Sequence, residues 1–367
     1  MNRSGSLAFR SNIQGAGINT GNDVGIWARR NSAHSLVARE GSQAAGLEAG
    51  RLHRYFITNP VLNASGTMAY VSQTWRANAS DYPVIYVEND GVAIPVVRGG
   101  DLAPGIPGHP FNFSFSEFPS VMLNSRGDIA FRGIRDDGDE GIWVRKRGSL
   151  QLIALKGMPV PDMWNTYFDS FTELALNAAG QVAFIAKLGG AGVNESSNTG
   201  IWASTPTGEL RLIARQGLYE GDHPFDSING LFFEGGSGNG DGQRSGFNDR
   251  GELAYLATYS SGGNRLIVSD KVALSPTDFD GNGVVDGADF LAWQRGYGKA
   301  AGAQPADGDA DRDGDVDAAD LAAWRSAFSG ANSATAMNAV PEPATGTLVA
   351  LGAVSLLIAA RRHPVAA

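Results

Sequence analysis

The sequence predicts an all-β, β-propeller-like repeat domain, followed by a small α-helical module and a C-terminal hydrophobic helix. Three observations predict this order. An apolar element around an Asn-x-x-Gly turn recurs through the first 274 residues, an acidic loop occurs twice after it, and 17 uncharged residues lie near the C-terminus. The predicted boundaries are 1–274 for the repeat domain, 275–330 for the module, 331–339 for a linker and 340–367 for the tail.

The composition favours turn-rich β structure. The 367 residues include 49 glycines, 18% charged residues and no cysteine. Without cysteine the chain has no disulfide, no thiolate metal site and no cysteine nucleophile. Eleven aspartates lie in 275–330 against three arginines and one lysine, so most of the net charge of −9 belongs to that module. The rest of the chain is nearly neutral, and no basic patch indicates a nucleic-acid partner.

The first region is built from repeats of three apolar elements. The turn element occurs five times, as MNRSGSLAFR, LNASGTMAYV, LNSRGDIAFR, LNAAGQVAFI and FNDRGELAYL. A GIW-type element and an LIA-type element follow each copy, ending in a weaker KVAL at 271–274. Short runs rich in branched and aromatic residues between Gly, Pro, Asn and Asp are strand signals. With an apolar strand before each turn, the period near 60 predicts about five four-stranded blades.

The two ends of the repeat array are incomplete. The first repeat lacks the strand that approaches its turn, and nothing apolar follows 271–274 in register. A five-bladed ring could close with one strand fewer, or the natural chain begins upstream of Met1. We favour the second hypothesis, because Met1 is also not followed by a charged and then apolar export signal. An in-frame stop codon immediately before Met1 would argue against it.

Two sets of side chains recur in the repeats. A tryptophan recurs in the GIW-type element, and packing explains such a recurrence better than sugar stacking does. A basic residue recurs after the LIA-type element, and an exposed strand end explains it better than an anion-binding ring does. The tryptophans are Trp27, Trp143 and Trp202, and the basic residues are Arg39, Arg98, Lys156 and Arg215.

The non-repeating residues of this region predict no catalytic residue. Histidines in polar loops form turns more often than sites. Asp169 and Glu173 have the residue types of a glycosidase pair, but no flanking pattern supports them. The loop 231–246 lacks the lysine and the spacing of a phosphate loop. The histidines considered are His53, His109 and His223.

The module contains one twelve-residue acidic loop pattern twice, DFDGNGVVDGAD and DADRDGDVDAAD. Oxygen-bearing residues at positions 1, 3, 5, 9 and 12, with glycine at position 6 and a backbone carbonyl at position 7, are the ligand set of a Ca²⁺ loop. The sequence therefore predicts two Ca²⁺ ions. The predicted ligands are Asp278, Asp280, Asn282, Val284, Asp286 and Asp289 in the first loop, and Asp309, Asp311, Asp313, Asp315, Asp317 and Asp320 in the second.

A helix is predicted after each loop. Apolar residues follow both loops at steps of three and four, which places each trio on one helical face. A disordered acidic linker would not repeat this spacing. Pro276 and Pro305 lie just before the loops, so no helix is expected to lead into either one. The two trios are Phe290, Trp293 and Tyr297, and Leu321, Trp324 and Phe328.

This paired unit, over Ser275 to Gly330, resembles the type I dockerin. The resemblance implies two bound Ca²⁺ ions and a cohesin-like or other envelope protein as partner. Loop positions 10 and 11 depart from the family, which often has polar residues there that contact the cohesin. A conventional cohesin is therefore predicted less directly than calcium. The departing residues are Gly287, Ala288, Ala318 and Ala319.

The C-terminal tail combines VPEP at 340–343, the uncharged stretch 344–360 and two arginines at 361–362. Seventeen uncharged residues are just long enough to cross a membrane, and the arginines would hold the end in the cytoplasm. This combination resembles the PEP-CTERM sorting signal of bacterial envelope proteins. It implies export, an exosortase-type processing enzyme and membrane contact through 344–360. A plain tail anchor or a short buried helix is the alternative.

The whole arrangement resembles uncharacterised planctomycete-type envelope proteins. The predicted function is a non-catalytic cell-surface or secreted protein with a calcium-dependent interaction module. The alternative is a protein that binds or degrades polysaccharide, because dockerins commonly bring glycan-degrading enzymes into assemblies.

Overall fold

The structure is a computed structural model that describes residues 2, 4–105, 107–112, 121–218, 226–238, 244–281 and 284–332. The chain divides into two compact units, Met1–Leu274 with Gly281–Val284, and Ser275–Asp280 with Val285–Ala367. The predicted hydrophobic helix at 344–360 lies outside the described residues. Within the described ranges, no helix has the length and apolar character that a membrane span needs.

Five antiparallel sheets form the first unit, and they confirm the predicted all-β, propeller-like class. Within each sheet, strands that follow one another in the chain pair with each other, except that the first two strands of the second sheet both pair with its third strand. The first sheet contains β1 (Leu7–Asn12), β2 (Val24–Arg30) and β3 (Ala33–Arg39). The second contains β4 (Leu52–Phe56), β5 (Val61–Leu62), β6 (Met68–Arg76), β7 (Ala79–Asn89) and β8 (Val92–Arg98).

The remaining three sheets repeat this meander. The third contains β9 (Met122–Leu123), β10 (Ile129–Ile134), β11 (Glu140–Lys146) and β12 (Ser149–Leu155). The fourth contains β13 (Thr166–Leu176), β14 (Val182–Gly190), β15 (Thr199–Ser204) and β16 (Leu210–Arg215). The fifth contains β17 (Ile228–Phe232), β18 (Leu253–Tyr259) and β19 (Asn264–Ser269).

The strand predicted at 271–274 is wrong, because this segment turns back instead of pairing with β19. Val272 is buried, and its carbonyl oxygen accepts a hydrogen bond of 2.7 Å from Gln181 Nε2. The backbone of this segment therefore provides a hydrogen-bond acceptor for the buried side-chain amide of Gln181, in the turn before β14. The fifth sheet consequently has three strands, as the first does.

The GIW-type strands carry their tryptophans into the core. Trp143 and Trp202 are fully buried opposite Phe131 and Phe184 of the preceding strands, which confirms the packing prediction for these two. The glycine of the element is required by the same packing. A Cβ atom on Gly200 would lie 2.5 Å from the Trp202 ring.

Neighbouring sheets pack face to face in one repeated way. The aliphatic face of one sheet covers the aromatic face of the next, as when Ile142 and Val144 join Phe184 and Trp202 in one core cluster. The same arrangement joins the first sheet to the second, the second to the third, and the fourth to the fifth. Because burial of one large apolar side chain stabilises a fold by about 1.5–3 kcal/mol, these interfaces dominate the stability of the unit.

The turn asparagines form a ladder that joins all five sheets. The Nδ2 atom of each donates to the backbone oxygen of the next turn asparagine along the chain, at 2.8–3.0 Å. The ladder runs through Asn2, Asn63, Asn124, Asn177 and Asn248. The sequence identified these residues as turn formers, because Asx side chains bond their own turns, but not as links between sheets.

The second unit contains α1 (Gly287–Gly296), a short 3-10 helix (Pro305–Asp307) and α2 (Ala318–Asn332). The expectation that no helix leads into the second loop was wrong, because the 3-10 helix lies directly before it. Pro305 begins this helix, and proline is favoured at the first position of a helix. A small apolar core joins the two helices and the two loops. It contains Phe279, Trp293, Ala303, Ala310 and Val316, with Phe290, Leu321 and Trp324 packed against them.

Candidate metal centres and a candidate cleft

Three aspartates of the first acidic loop converge. Carboxylate oxygens of Asp278, Asp280 and Asp289 lie within 4.8 Å of one another. Asp286 caps α1, and its Oδ1 accepts from the Ala288 amide at 2.7 Å. Asn282 lies outside the described residues.

The second loop repeats this arrangement 31 residues later. Asp309, Asp311 and Asp320 supply oxygens within 4.8 Å of one another, and Asp315 and Asp317 form a second such group with Asp320. Asp313 accepts a hydrogen bond from the Asp315 amide at 3.0 Å and belongs to neither group. Four of the predicted residues thus surround Asp320, the aspartate at loop position 12.

Backbone amides hold the position 12 aspartate in the same way in both loops. Both side chains are buried, and Oδ1 accepts from the amide at position 2, Phe279 or Ala310, at 2.7 Å. Oδ2 accepts from the position 9 amide at 2.8 Å. Oδ1 also accepts from the position 3 amide, at 3.2 Å in the first loop and 3.3 Å in the second, so Oδ2 is the oxygen that keeps a lone pair for a cation.

The electrostatics of the second loop fit a bound cation. Burial and then repulsion by Asp313 and Asp317 raise the pKa of Asp315. The Asp313 amide lowers the pKa of Asp311, but burial and neighbouring carboxylates outweigh it and raise the pKa overall. Among the described residues, the buried Oδ1 of Asp315 has no hydrogen-bond partner. Clustered, partly desolvated oxygens without nitrogen or sulfur ligands are the donor set that Ca²⁺ prefers.

The two halves of the module are linked by an exchange of tryptophan hydrogen bonds. Trp293 Nε1 donates to the carbonyl oxygen of Asp317 at 2.9 Å, and Trp324 Nε1 donates to that of Asp286 at 3.2 Å. Each helix therefore binds position 9 of the opposite loop. Sequence analysis placed both tryptophans on the packed faces but did not predict this exchange.

The two candidate histidines that the structure describes, His53 and His109, do not form one site. His53 is 1% exposed, its Nδ1 lies 2.7 Å from Ser72 Oγ, and desolvation lowers its pKa to about 4. It is a neutral core residue at physiological pH. His109 Nδ1 lies 2.9 Å from Asp136 Oδ1 on the surface. His223 lies outside the described residues.

Two of the recurrent arginines, Arg39 and Arg215, bond to loops and are not free strand ends. Arg39 Nε donates to the carbonyl oxygen of Asn22 at 2.7 Å, and Arg215 Nε donates to that of Ser197 at 2.9 Å. In both repeats the guanidinium fastens the loop before the GIW-type strand. The expectation of exposed ends is therefore corrected for these two, because a nearby loop carbonyl offers them a partner.

A cleft of about 610 Å³ lies between the second sheet and the segment that leads to the third. It holds an ion pair between Arg54 and Asp81, and the guanidinium of Arg51 lies 4.0 Å from the centre of the Tyr82 ring. Gln73 in its wall is 2% exposed, and its Oε1 has no partner among the described residues. The lining also includes Ser80, Pro83, Gly99, Gly100, Pro110, Phe111, Asn112 and Asp136.

Sequence analysis missed this cleft, although the second repeat carries a signal. Its strands β6 and β7 have 9 and 11 residues, whereas β10 and β11 have 6 and 7. The extension SQTWRANASDYP supplies Gln73 and Tyr82. Asp169 and Glu173 lie on β13 and do not line the cleft.

Comparison with protein families assigns both parts of the chain. The profile described as "Family of unknown function (DUF7453)" matches residues 1–276. The chain belongs to the DUF7453 family. The profile of the dockerin type I domain matches residues 276–328, so this DUF7453 protein carries a type I dockerin domain after its repeat region. Among curated proteins no sequence matches the chain.

Several solved structures are similar to this DUF7453 chain at low identity. The Hadza microbial sialidase Hz136 is 10% identical with a TM-score of 0.33, over 73% of this chain and 54% of that one. The exo-β-1,3-galactanase of Clostridium thermocellum is 11% identical with a TM-score of 0.28, over 73% and 57%. The six-bladed Aleuria aurantia lectin is 9% identical with a TM-score of 0.27, over 72% and 73%. This chain therefore spans about half of the sialidase, and likenesses this low assign no activity.

Proposed function

We propose that the dockerin domain is a two-calcium module that attaches this protein to a cohesin-type partner in an extracellular or cell-surface assembly. The observation that carries the proposal is the matched convergence of three aspartates in both loops. Each loop would hold one Ca²⁺ through carboxylate oxygens and a position 7 carbonyl. The ion would fix the start of the following helix, because position 9 is its N-terminal cap in α1.

The surface that this domain offers to a partner is small and apolar. Positions 10 and 11 of both loops are exposed glycine or alanine. On the same helix as Gly287 and Ala288, Leu291 is 48% exposed, and Tyr297 follows at 59%. A partner suited to this surface would contribute apolar contacts where other dockerins offer hydrogen bonds.

Binding to a cohesin panel tests this proposal. The full chain should bind at least one cohesin with calcium and lose binding in chelator, because the loops that start both helices depend on the ion. Leu291→Glu should weaken binding at least about tenfold, since a buried unpaired carboxylate costs more than 1.4 kcal/mol. Leu102→Glu, at a leucine of the repeat domain that is 67% exposed, should bind normally. Equal binding with and without calcium would contradict the proposal.

Display at the cell envelope rests on the tail. Residues 340–343 followed by 344–360 and two arginines support export and processing by an exosortase-type enzyme. The mass of the protein recovered from native cell surfaces tests this. A mass without the terminal arginines supports processing, and a mass that includes residues 344–367 contradicts it.

The cleft favours a second candidate function, recognition of a polysaccharide by the repeat domain without catalysis. Tyr82 supplies aromatic surface, while Arg54, Asp81 and Asn112 supply hydrogen-bonding groups. The buried Oε1 of Gln73 lacks a donor among the described residues, and a sugar hydroxyl could supply one. A concave site with apolar walls and a few polar groups suits such a ligand.

A glycan array with the full chain tests the cleft. Tyr82→Ala should weaken binding about tenfold, which corresponds to about 1.4 kcal/mol of lost aromatic contact. Tyr167→Ala removes a half-exposed tyrosine of the fourth sheet and should leave binding unchanged. Glycan binding that survives Tyr82→Ala, or no glycan bound, would contradict this second function.

A further inference from the structure

The two ends of the repeat array present the two halves of its own internal interface. Each junction between sheets places the aliphatic face of one sheet on the aromatic face of the next. With five sheets in series, the aliphatic face of the fifth and the aromatic face of the first have no neighbouring sheet on the described part of the chain.

The aliphatic face of the fifth sheet is uncovered. On β19, Leu266 is 76% exposed and Val268 is 64% exposed. Their partners across the sheet are Leu256 and Ala254, which are only partly buried. We call these four residues the last-sheet face.

The same positions are covered in every other sheet. The residues equivalent to Leu266 are at most 1% exposed, and those equivalent to Val268 are at most 8% exposed. The equivalence follows from the strand register. In every sheet, the residue that lies between these two positions pairs with an aromatic residue of the preceding strand. The equivalent residues are Ile26, Ile85, Ile142 and Ile201, and Ala28, Val87, Val144 and Ala203.

The aromatic face of the first sheet is uncovered in a complementary way. Phe9, Trp27 and Leu36 lie side by side across β1, β2 and β3. Leu36 is 46% exposed, and the two rings are only partly buried, whereas Phe184 and Trp202 at the same positions are fully buried. We call these three residues the first-sheet face.

The asparagine ladder gives the interface a direction. Each turn asparagine donates to the carbonyl oxygen of the next one, from Asn2 to Asn248. Asn248 is the last asparagine of the ladder, and its Nδ2 donates instead to Glu252 Oε2 in its own turn at 2.7 Å. A further sheet placed on the last-sheet face would offer its turn carbonyl to Asn248.

We propose that the last-sheet face of one chain docks on the first-sheet face of a second copy, continuing the sheet stack and extending the ladder from Asn248 to Asn2 of that copy. The partner is a second copy because the first-sheet face occupies the same strand positions as the faces that cover the aliphatic faces at the four internal junctions. The contact is head to tail, so it uses two different surfaces and can add further copies.

Sedimentation of single-end variants and their mixture tests the proposal. The wild-type chain should show masses above the monomer that grow with concentration. Leu266→Glu blocks the last-sheet face and Leu36→Glu blocks the first-sheet face. Each alone should be monomeric, with a dissociation constant raised at least about tenfold, because a carboxylate would be buried without a partner. Both residues are exposed, so both variants should fold.

The mixture distinguishes this contact from other associations. Each variant keeps the face that the other has lost, so an equimolar mixture should form dimers and nothing larger. Val92→Glu, which changes an exposed residue at the start of β8, should assemble as the wild type does. A wild-type chain that stays monomeric, a variant that assembles normally, or a mixture that stays monomeric would overturn the proposal.

Discussion

Chelation of calcium should unfold the dockerin domain while the five sheets stay folded. The module holds eleven aspartates in about 55 residues, and its apolar core is small. Without the ion, carboxylates that lie within 4.8 Å of one another repel, as the raised pKa of Asp315 indicates. An ion at 100 times its dissociation constant stabilises a site by about 2.7 kcal/mol, so its removal is a large change for so small a domain.

Calorimetry with tryptophan fluorescence measures this effect. The scan should contain one transition that moves with calcium and one that does not. Trp293 and Trp324 should become exposed in chelator. Asp320→Ala should abolish the second loop's contribution to the calcium-dependent rise in transition temperature. Asp169→Ala, which changes an exposed aspartate on β13, should leave the scan unchanged. A scan that does not respond to calcium would contradict the prediction.

Asn124→Ala should destabilise the repeat domain by about 3 kcal/mol or more. The fully buried side chain donates to the carbonyl oxygen of Asn177 and to Asp128 Oδ2, both at 3.0 Å. Its Oδ1 accepts from the amides of Arg126 and Asp128 at 3.0 and 2.9 Å. Truncation leaves several of these groups buried without partners, and each costs about 1–3 kcal/mol.

Urea unfolding of the calcium-loaded chain measures this loss. Asn248→Ala is the matched control, because the same turn residue is exposed at the end of the ladder and bonds only locally. That variant should lose less than about 1 kcal/mol. Equal losses for the two variants would show that the links between sheets do not stabilise the array.

The sequence could predict the sheets because each element carries its own local signal. The Asn-x-x-Gly turn and the GIW-type strand repeat with their glycine and tryptophan positions, and burial of Trp143 and Trp202 follows from that recurrence. The 271–274 strand prediction failed because a segment with only three apolar residues suits a strand and a buried loop equally. The partner of its Val272 carbonyl, Gln181, lies 91 residues away and leaves no local pattern.

The loops were predictable for a similar reason, since their ligand spacing is a local property of twelve residues. The tryptophan exchange between α1 and α2 was not, because it depends on how the two halves face each other. The cleft depends on residues from several separate segments, such as Arg54, Tyr82 and Asp136, that only the fold brings together. The arginine contacts were missed because backbone carbonyls in loops carry no sequence signature.

The number of calcium ions per chain tests the central claim most directly. Titration of metal-free protein, read by calorimetry and by metal analysis of the washed complex, should give two Ca²⁺ for the wild type. Asp320→Ala should retain one, and the double variant with Asp289→Ala should retain none. No bound calcium, or two ions retained by the double variant, would contradict the assignment of the two loops as metal centres.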